Sequence, residues 1–213
     1  RWDKGSMNSS YVLSLADSFH VQITAGDAGA SPIVEMLAHA MKLRPGSSAA
    51  GHSLLVLTGQ EKDVFSLSEH NTICLFSPPQ NKDELVFRAM EVSLAIAHAA
   101  QQRGGVLVHG GLAEYEGKGV ILAAPGGTGK STAASRLPHP WRSLSDDAAF
   151  IVRDLQGSYF AHPWPTWSRF YENGPGGEWD VGAATPLKTI YFLFQSPRDD
   201  LEELIPAQAA AMF

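Results

Sequence analysis

The chain of 213 residues is 44% hydrophobic and 18% charged, proportions that fit a globular protein with a sizeable core and exclude a disordered or fibrous one. Its 22 acidic and 16 basic side chains leave a net charge of −6; with no Lys/Arg run to displace counterions from a phosphate backbone, nucleic acid is excluded as a partner. The most apolar long stretch, Leu94 to Ala100, is interrupted by His98 and falls far short of the roughly 18 residues that span a bilayer, so no membrane partner is expected either.

Residues 1–6 read as vector sequence ahead of Met7, with neither the apolar run nor the cleavage pattern of a signal peptide. Alternation from Tyr11 to Thr24, broken at Ala16–Ser18, predicts a β-hairpin. Ser31-Pro32 opens a helix through Ile33, Leu37, Ala40 and Met41, and Pro45-Gly46 stops it. The runs 53–59 and 72–77 read as short strands. Cys74, in the second of them, is the single cysteine; it excludes an internal disulfide, suits a reducing cytoplasm, and reads as a small buried hydrophobe rather than a reactive thiol. Asn81 begins a long core helix through Leu85, Ala89, Val92 and Ile96.

After Gly104-Gly105 the pattern is strand, turn, strand, glycine-rich loop and helix, closed by Pro138 and Pro140. A further strand and a hairpin turned near Gln156-Gly157 follow, and Leu187 to Phe194 reads as an apolar strand buried on both faces. The elements imply an α/β fold with a mixed sheet: a small α+β N-terminal lobe over residues 7–103 and a second domain over 104–213. The last residues read as the start of a helix and an incomplete C-terminus.

Ala124 to Ser131 (APGGTGKS) fits the phosphate-loop pattern with Ala124 in place of the usual first glycine, directly after an apolar strand and before a helix. Glycines let consecutive amides turn onto phosphate oxygens, and the following helix N-terminus adds partial positive charge. Gly126, Gly127, Thr128, Gly129, Lys130, Ser131 and Thr132 are the expected nucleotide-binding residues, with Lys130 reaching the β- and γ-phosphates and Ser131 ligating Mg²⁺. The competing reading is a structural glycine turn.

Asp146-Asp147 follow a short strand, at the end where open α/β sheets place ligand groups. Adjacent strand residues point to opposite faces, so one carboxylate would serve Mg²⁺ or its waters and the other the substrate hydroxyl; a solvated turn is the alternative. His109 is a catalytic candidate or a hydrogen-bonded structural residue. Glu114 and Glu116 are site carboxylates or a solvated hairpin.

Taken together, HGGLAEYEGKGVILAAPGGTGKSTAASRLP and SLSDDAAFIV resemble the core of the HPr kinase/phosphorylase family, relatives of the phosphoenolpyruvate carboxykinases. Over the whole chain, YVLSLADS and HPWPTWSRF included, the sequence is similar to HPr-kinase-like SynChlorMet cassette proteins of modified-peptide gene clusters. The resemblance implies an HPr kinase/carboxykinase-like P-loop domain over 104–213. It also implies ATP-dependent phosphorylation of a serine-type hydroxyl on a peptide or protein, with Asp146 as general base, Asp147 at the metal, His109 lining the site and Glu114 as a further carboxylate. Members commonly assemble into homo-oligomers. The C-terminal signature for phosphorolysis is not found.

His162 to Trp167 and Arg169 could line a peptide groove, with Trp164, Trp167 and Arg169 as substrate contacts, or the tryptophans could be core. Gly174 to Gly177 reads as a lid or a plain surface turn. Arg142 and Arg169 are phosphate-contact candidates or surface residues. The expected cofactors are ATP, or another nucleoside triphosphate, and Mg²⁺. Two other functions stay open: a nucleotide-binding regulatory or scaffold module without chemistry, and a small-molecule kinase or carboxykinase-like enzyme.

Overall fold

A computed structural model describes residues 9–47, 51–59, 63–125, 127–171, 174–198 and 200–212. The predicted hairpin forms: β1 (Ser10–Ser14) and β2 (His20–Ala25) pair antiparallel, with the turn closed by the Leu15 N–H on the Phe19 carbonyl at 2.9 Å. α1 (Ser31–Met41) has Pro32 in its first turn, where the missing N–H has no helical partner to lose. It ends at Lys42 in the left-handed region, and β3 (Arg44–Pro45) returns to pair with β1.

β4 (His52–Thr58) and β6 (Asn71–Phe76) form as expected, and between them lies a strand the pattern did not announce, β5 (Val64–Leu67), exposed at every position. Asn81 caps α2 (Lys82–Gln101), its side chain accepting the Glu84 N–H at 2.9 Å. The first sheet runs β3-β1-β2-β4-β6-β5, parallel at its centre and antiparallel at both edges.

The second half builds another six-stranded sheet from β7 (Val106–Tyr115), β8 (Lys118–Ala123), β9 (Arg142–Ser145), β10 (Ala148–Arg153), β11 (Tyr159–Trp164) and β12 (Thr185–Phe192). Because β10 pairs both β11 and β7, the strands β7-β8-β12-β11-β10 close into a ring. Val108, Leu112, Ile121, Ala149, Ile151 and Ala161 fill its interior. On the outer face, Phe150, Val152 and Trp164 share one core with α1, α2 and the first sheet. The two helices are therefore sandwiched between the sheets.

Two expectations need correction. β12 is only half-buried: Leu187, Ile190 and Phe192 pack inward, while Tyr191 on the reverse face borders a cavity of about 560 Å³ beside Leu201 and Leu204. Only Pro206–Ala210, α4, is helical near the end of the chain. Of the two readings of Gly174 to Gly177, lid or surface turn, the contacts around it favour a packed turn. Trp167–Phe170 is a 3₁₀ turn, the Gly174 and Gly176 amides bond the Tyr171 and Arg169 carbonyls at 2.7 and 2.9 Å, and the Trp179 N–H reaches Ala40 O at the end of α1 at 2.8 Å. A Cβ on Gly174 would lie 2.3 Å from the Arg169 carbonyl oxygen, so the glycine is there for close packing.

Candidate functional site

The predicted loop runs from the end of β8 into α3 (Lys130–Ser135). Gly127 and Gly129 hold φ of +77° and +104° in open space, a conformation glycine adopts without strain. The Thr128 hydroxyl donates to the Pro125 carbonyl at 2.8 Å. Lys130 is only 5% exposed, and its ammonium donates to the carbonyls of Ala124 and Pro125 at 2.6 and 3.2 Å. The lysine thus lies folded into the turn it closes, so a bound phosphate would have to draw it off these carbonyls. α3 has six residues, so the partial positive charge at its N-terminus comes from little more than one turn of amides. Gly126 lies outside the described residues, as does the side chain of Ser131.

β9 and β10 run in succession along one edge of β7, with Ser145 level with Leu112 and Ala148 level with His109. Asp146 and Asp147 occupy the gap, opposite Gly111 and Gly110. They form a bend rather than part of the ladder, so pleat alternation does not set their directions. The buried Ser145 hydroxyl makes the bend: it accepts the Leu112 N–H at 3.3 Å and donates to the Ala148 carbonyl at 2.6 Å. On the other edge of β7, Gly110 pairs with Ala123, the last residue before the loop. The acidic pair and the loop entrance therefore flank the same two glycines, two strand spacings or roughly 10 Å apart. A Cβ on Gly111 would meet the carbonyl oxygens of Ser145 and Asp146 at 3.3 and 3.4 Å and Ala134 of α3 at 3.6 Å; the glycine lets α3 settle over β7 at this point.

The Asp146 carboxylate accepts the buried Thr166 hydroxyl at 2.6 Å and faces the Arg169 guanidinium at 3.7 Å. Asp147 lies 3.5 Å from His109 Nδ1. His109 is exposed rather than a buried structural histidine, and belongs to the cluster. Glu114 does not: it is three residues, roughly 10 Å, along β7 from Gly111. There it forms a cross-strand ion pair with Arg142 and accepts the Gly117 N–H at 3.2 Å, so Glu114 and Arg142 engage each other away from the acidic bend. Glu116 is a turn residue with φ +49°.

Trp164 and Trp167 are core residues, not groove residues: Trp164 packs on Phe150, and the Trp167 indole N–H donates to Ser93 of α2 at 2.9 Å. Thr166 and Ser145, which shape the acidic pair, carried no motif. The one signal for Ser145 was a hydroxyl residue directly before two aspartates, a local turn-forming pattern.

The described residues contain no group of three or more His, Cys, Asp or Glu side chains that could hold a metal. A carboxylate such as Asp147 nonetheless suits Mg²⁺, which keeps several waters and takes one or two carboxylates together with substrate phosphates.

This is a mixed α/β protein whose second half closes a strand ring beneath a glycine-rich loop and an acidic bend. A family model described as SynChlorMet cassette protein ScmC matches residues 72–213, more than half of the chain, and the protein belongs to that family. No curated protein matches it.

Proposed function

We propose that the protein is a Mg·ATP-dependent kinase that transfers the γ-phosphoryl group to a serine- or threonine-type hydroxyl on a peptide or protein. The observation that carries the reading is the placement of Asp146-Asp147 and the loop ending in Lys130 on either side of Gly110-Gly111. Lys130 would exchange the Ala124 and Pro125 carbonyls for the β- and γ-phosphate oxygens. Asp146, oriented by Thr166 and Arg169, would accept the hydroxyl proton as the phosphoryl group moves in line. Asp147 and Ser131 are the residues that would hold Mg²⁺, which supplies charge neutralisation at the phosphates. With both tryptophans buried, the peptide class of substrate rests on the likeness to modified-peptide cassette proteins alone.

The test is Asp146→Asn. With Mg·ATP and candidate peptides, the variant should lose at least about 10²-fold in transfer, the usual contribution of a general base, while nucleotide affinity stays within threefold. Equal transfer by variant and parent would remove Asp146 from the role. A second reading, a nucleotide-binding module without chemistry, draws on the engagement of both Asp146 oxygens by Thr166 and Arg169. Nucleotide binding with no phosphoryl mass gain on any peptide would favour it.

A further inference from the structure

Two cavities lie between β5 and α2, away from the loop. One of about 710 Å³ is lined by Leu67, Ser68 and Glu69 beside β5 and by Ala99, Gln102 and Arg103 at the end of α2. A second, of about 270 Å³, continues from Leu67 past Phe65 to Glu91, Leu94 and His98 of α2. Sharing Leu67, they form one groove between the edge strand of the first sheet and an exposed stripe of α2.

The register gives this edge its chemistry. The Ser68 N–H donates to the Asn71 carbonyl at 2.8 Å, and bonded and non-bonded pairs alternate along an antiparallel ladder. Ser66 and Val64 therefore exchange bonds with β6, while the N–H and C=O groups of Phe65 and Leu67 point outward along the free edge. Their side chains lie on the face of Cys74 and Thr72, towards α2. Phe65, Leu67 and Leu94 are 48%, 38% and 46% exposed, and Val64 and Ile73 are exposed on the reverse face. Among the described residues no strand pairs with this edge, and a row of outward backbone groups beside an apolar trough is what an added strand requires.

Charge selects the occupant. At the Phe65 end a single cation, Arg88, is shared between the carboxylates of Asp63 and Glu91, leaving a surplus negative charge, whereas farther along Glu69 and Arg103 line the same cavity and offset one another. A second copy of this chain, pairing edge to edge, would bring the same carboxylates together.

We propose that the β5–α2 groove captures an extended peptide segment by strand addition, with apolar side chains at alternate positions in the trough and a basic residue against Glu91 and Asp63. The inference is independent of the chemistry assigned to Asp146, because the groove lies on the other sheet.

The test uses fluorescence anisotropy with a labelled nine-residue peptide alternating valine with lysine and threonine. Controls replace lysine by glutamate, or alternate valines by proline. The full chain should bind the lysine peptide saturably. The glutamate peptide should bind at least tenfold more weakly, and the proline peptide, which cannot donate to a ladder, should not bind. Leu94→Arg and Leu67→Arg, at exposed positions, should each weaken binding at least tenfold with unchanged circular dichroism. Absence of saturable binding to millimolar peptide, equal affinity for all three peptides, or affinity unchanged in both variants would overturn the proposal. So would a concentration-dependent dimer, abolished by Leu94→Arg, with no peptide bound.

Discussion

Ser145 shows how one side chain prepares a site. Its hydroxyl spans the interruption between β9 and β10, satisfying an amide of β7 on one side and a carbonyl of β10 on the other. Ser145→Ala leaves that buried amide unpaired, which costs about 1–3 kcal/mol; urea denaturation should show a lower midpoint, and the proposed phosphoryl transfer should fall with it as the acidic bend loses its geometry. Trp164 belongs to the same scale. Buried against Phe150, its replacement by alanine should destabilise the fold by about 3–5 kcal/mol, whereas a groove residue would alter substrate affinity and leave stability intact. The acidic pair was legible as a doublet after a short strand. Arg169 was legible as a phosphate or substrate contact, but its contact with Asp146, and that of Thr166, was not, because both arrive from a segment twenty or more residues away whose path no local pattern encodes.

Among the elements, β7 does the most to bring loop and acids together. Its first half pairs with β10, its second half with β8 and β9, and the change falls at Gly110-Gly111. A methyl group on Gly110 would lie 2.8 Å from Ile121 Cγ2 and 3.0 Å from the Leu122 carbonyl oxygen. Gly110→Ala should therefore destabilise by about 1–3 kcal/mol through overpacking, read as a shift in thermal midpoint. Strand, loop and helix were legible here because apolar runs and glycines punctuate them. β5 escaped because a four-residue exposed edge strand leaves no hydrophobic alternation to detect. β12 was misread because its apolar run is packed on one face only. Gly174 to Gly177 stayed open between lid and surface turn because what anchors the chain beyond it, the Trp179 and Val181 amides on the end of α1, is a long-range contact that composition does not report.

At the scale of the whole molecule, His162 joins three distant parts. It is fully buried; Nδ1 donates to the Val181 carbonyl at 2.7 Å and Nε2 accepts the Ala16 N–H at 3.2 Å, an arrangement that needs the neutral ring. Burial pushes its pKa down, and the same cause lowers that of His52, held between Thr72 and Glu69. The unfolded chain, with imidazoles near 6.5, then binds more protons than the folded one. Stability is complete above that pH and is lost as pH falls through 6.5 toward the lowered folded values, each histidine contributing at most about 1.4 kcal/mol per pH unit. Urea midpoints should drop between pH 7.5 and 5.5, and His162→Gln should flatten the profile while lowering the plateau.

No helix among the described residues is long and apolar enough to cross a membrane, and Cys74 is fully buried with its thiol pushed up to about 12, as its place in an apolar strand led one to expect.

The claim on which the functional account turns is that the loop ending in Lys130 holds a triphosphate beside the acidic bend. Calorimetric titration of the full chain with Mg·ATP addresses it directly. One saturable site that is lost in Lys130→Ala is expected; no heat of binding in the parent protein, or unchanged affinity in the variant, would contradict this placement of the triphosphate.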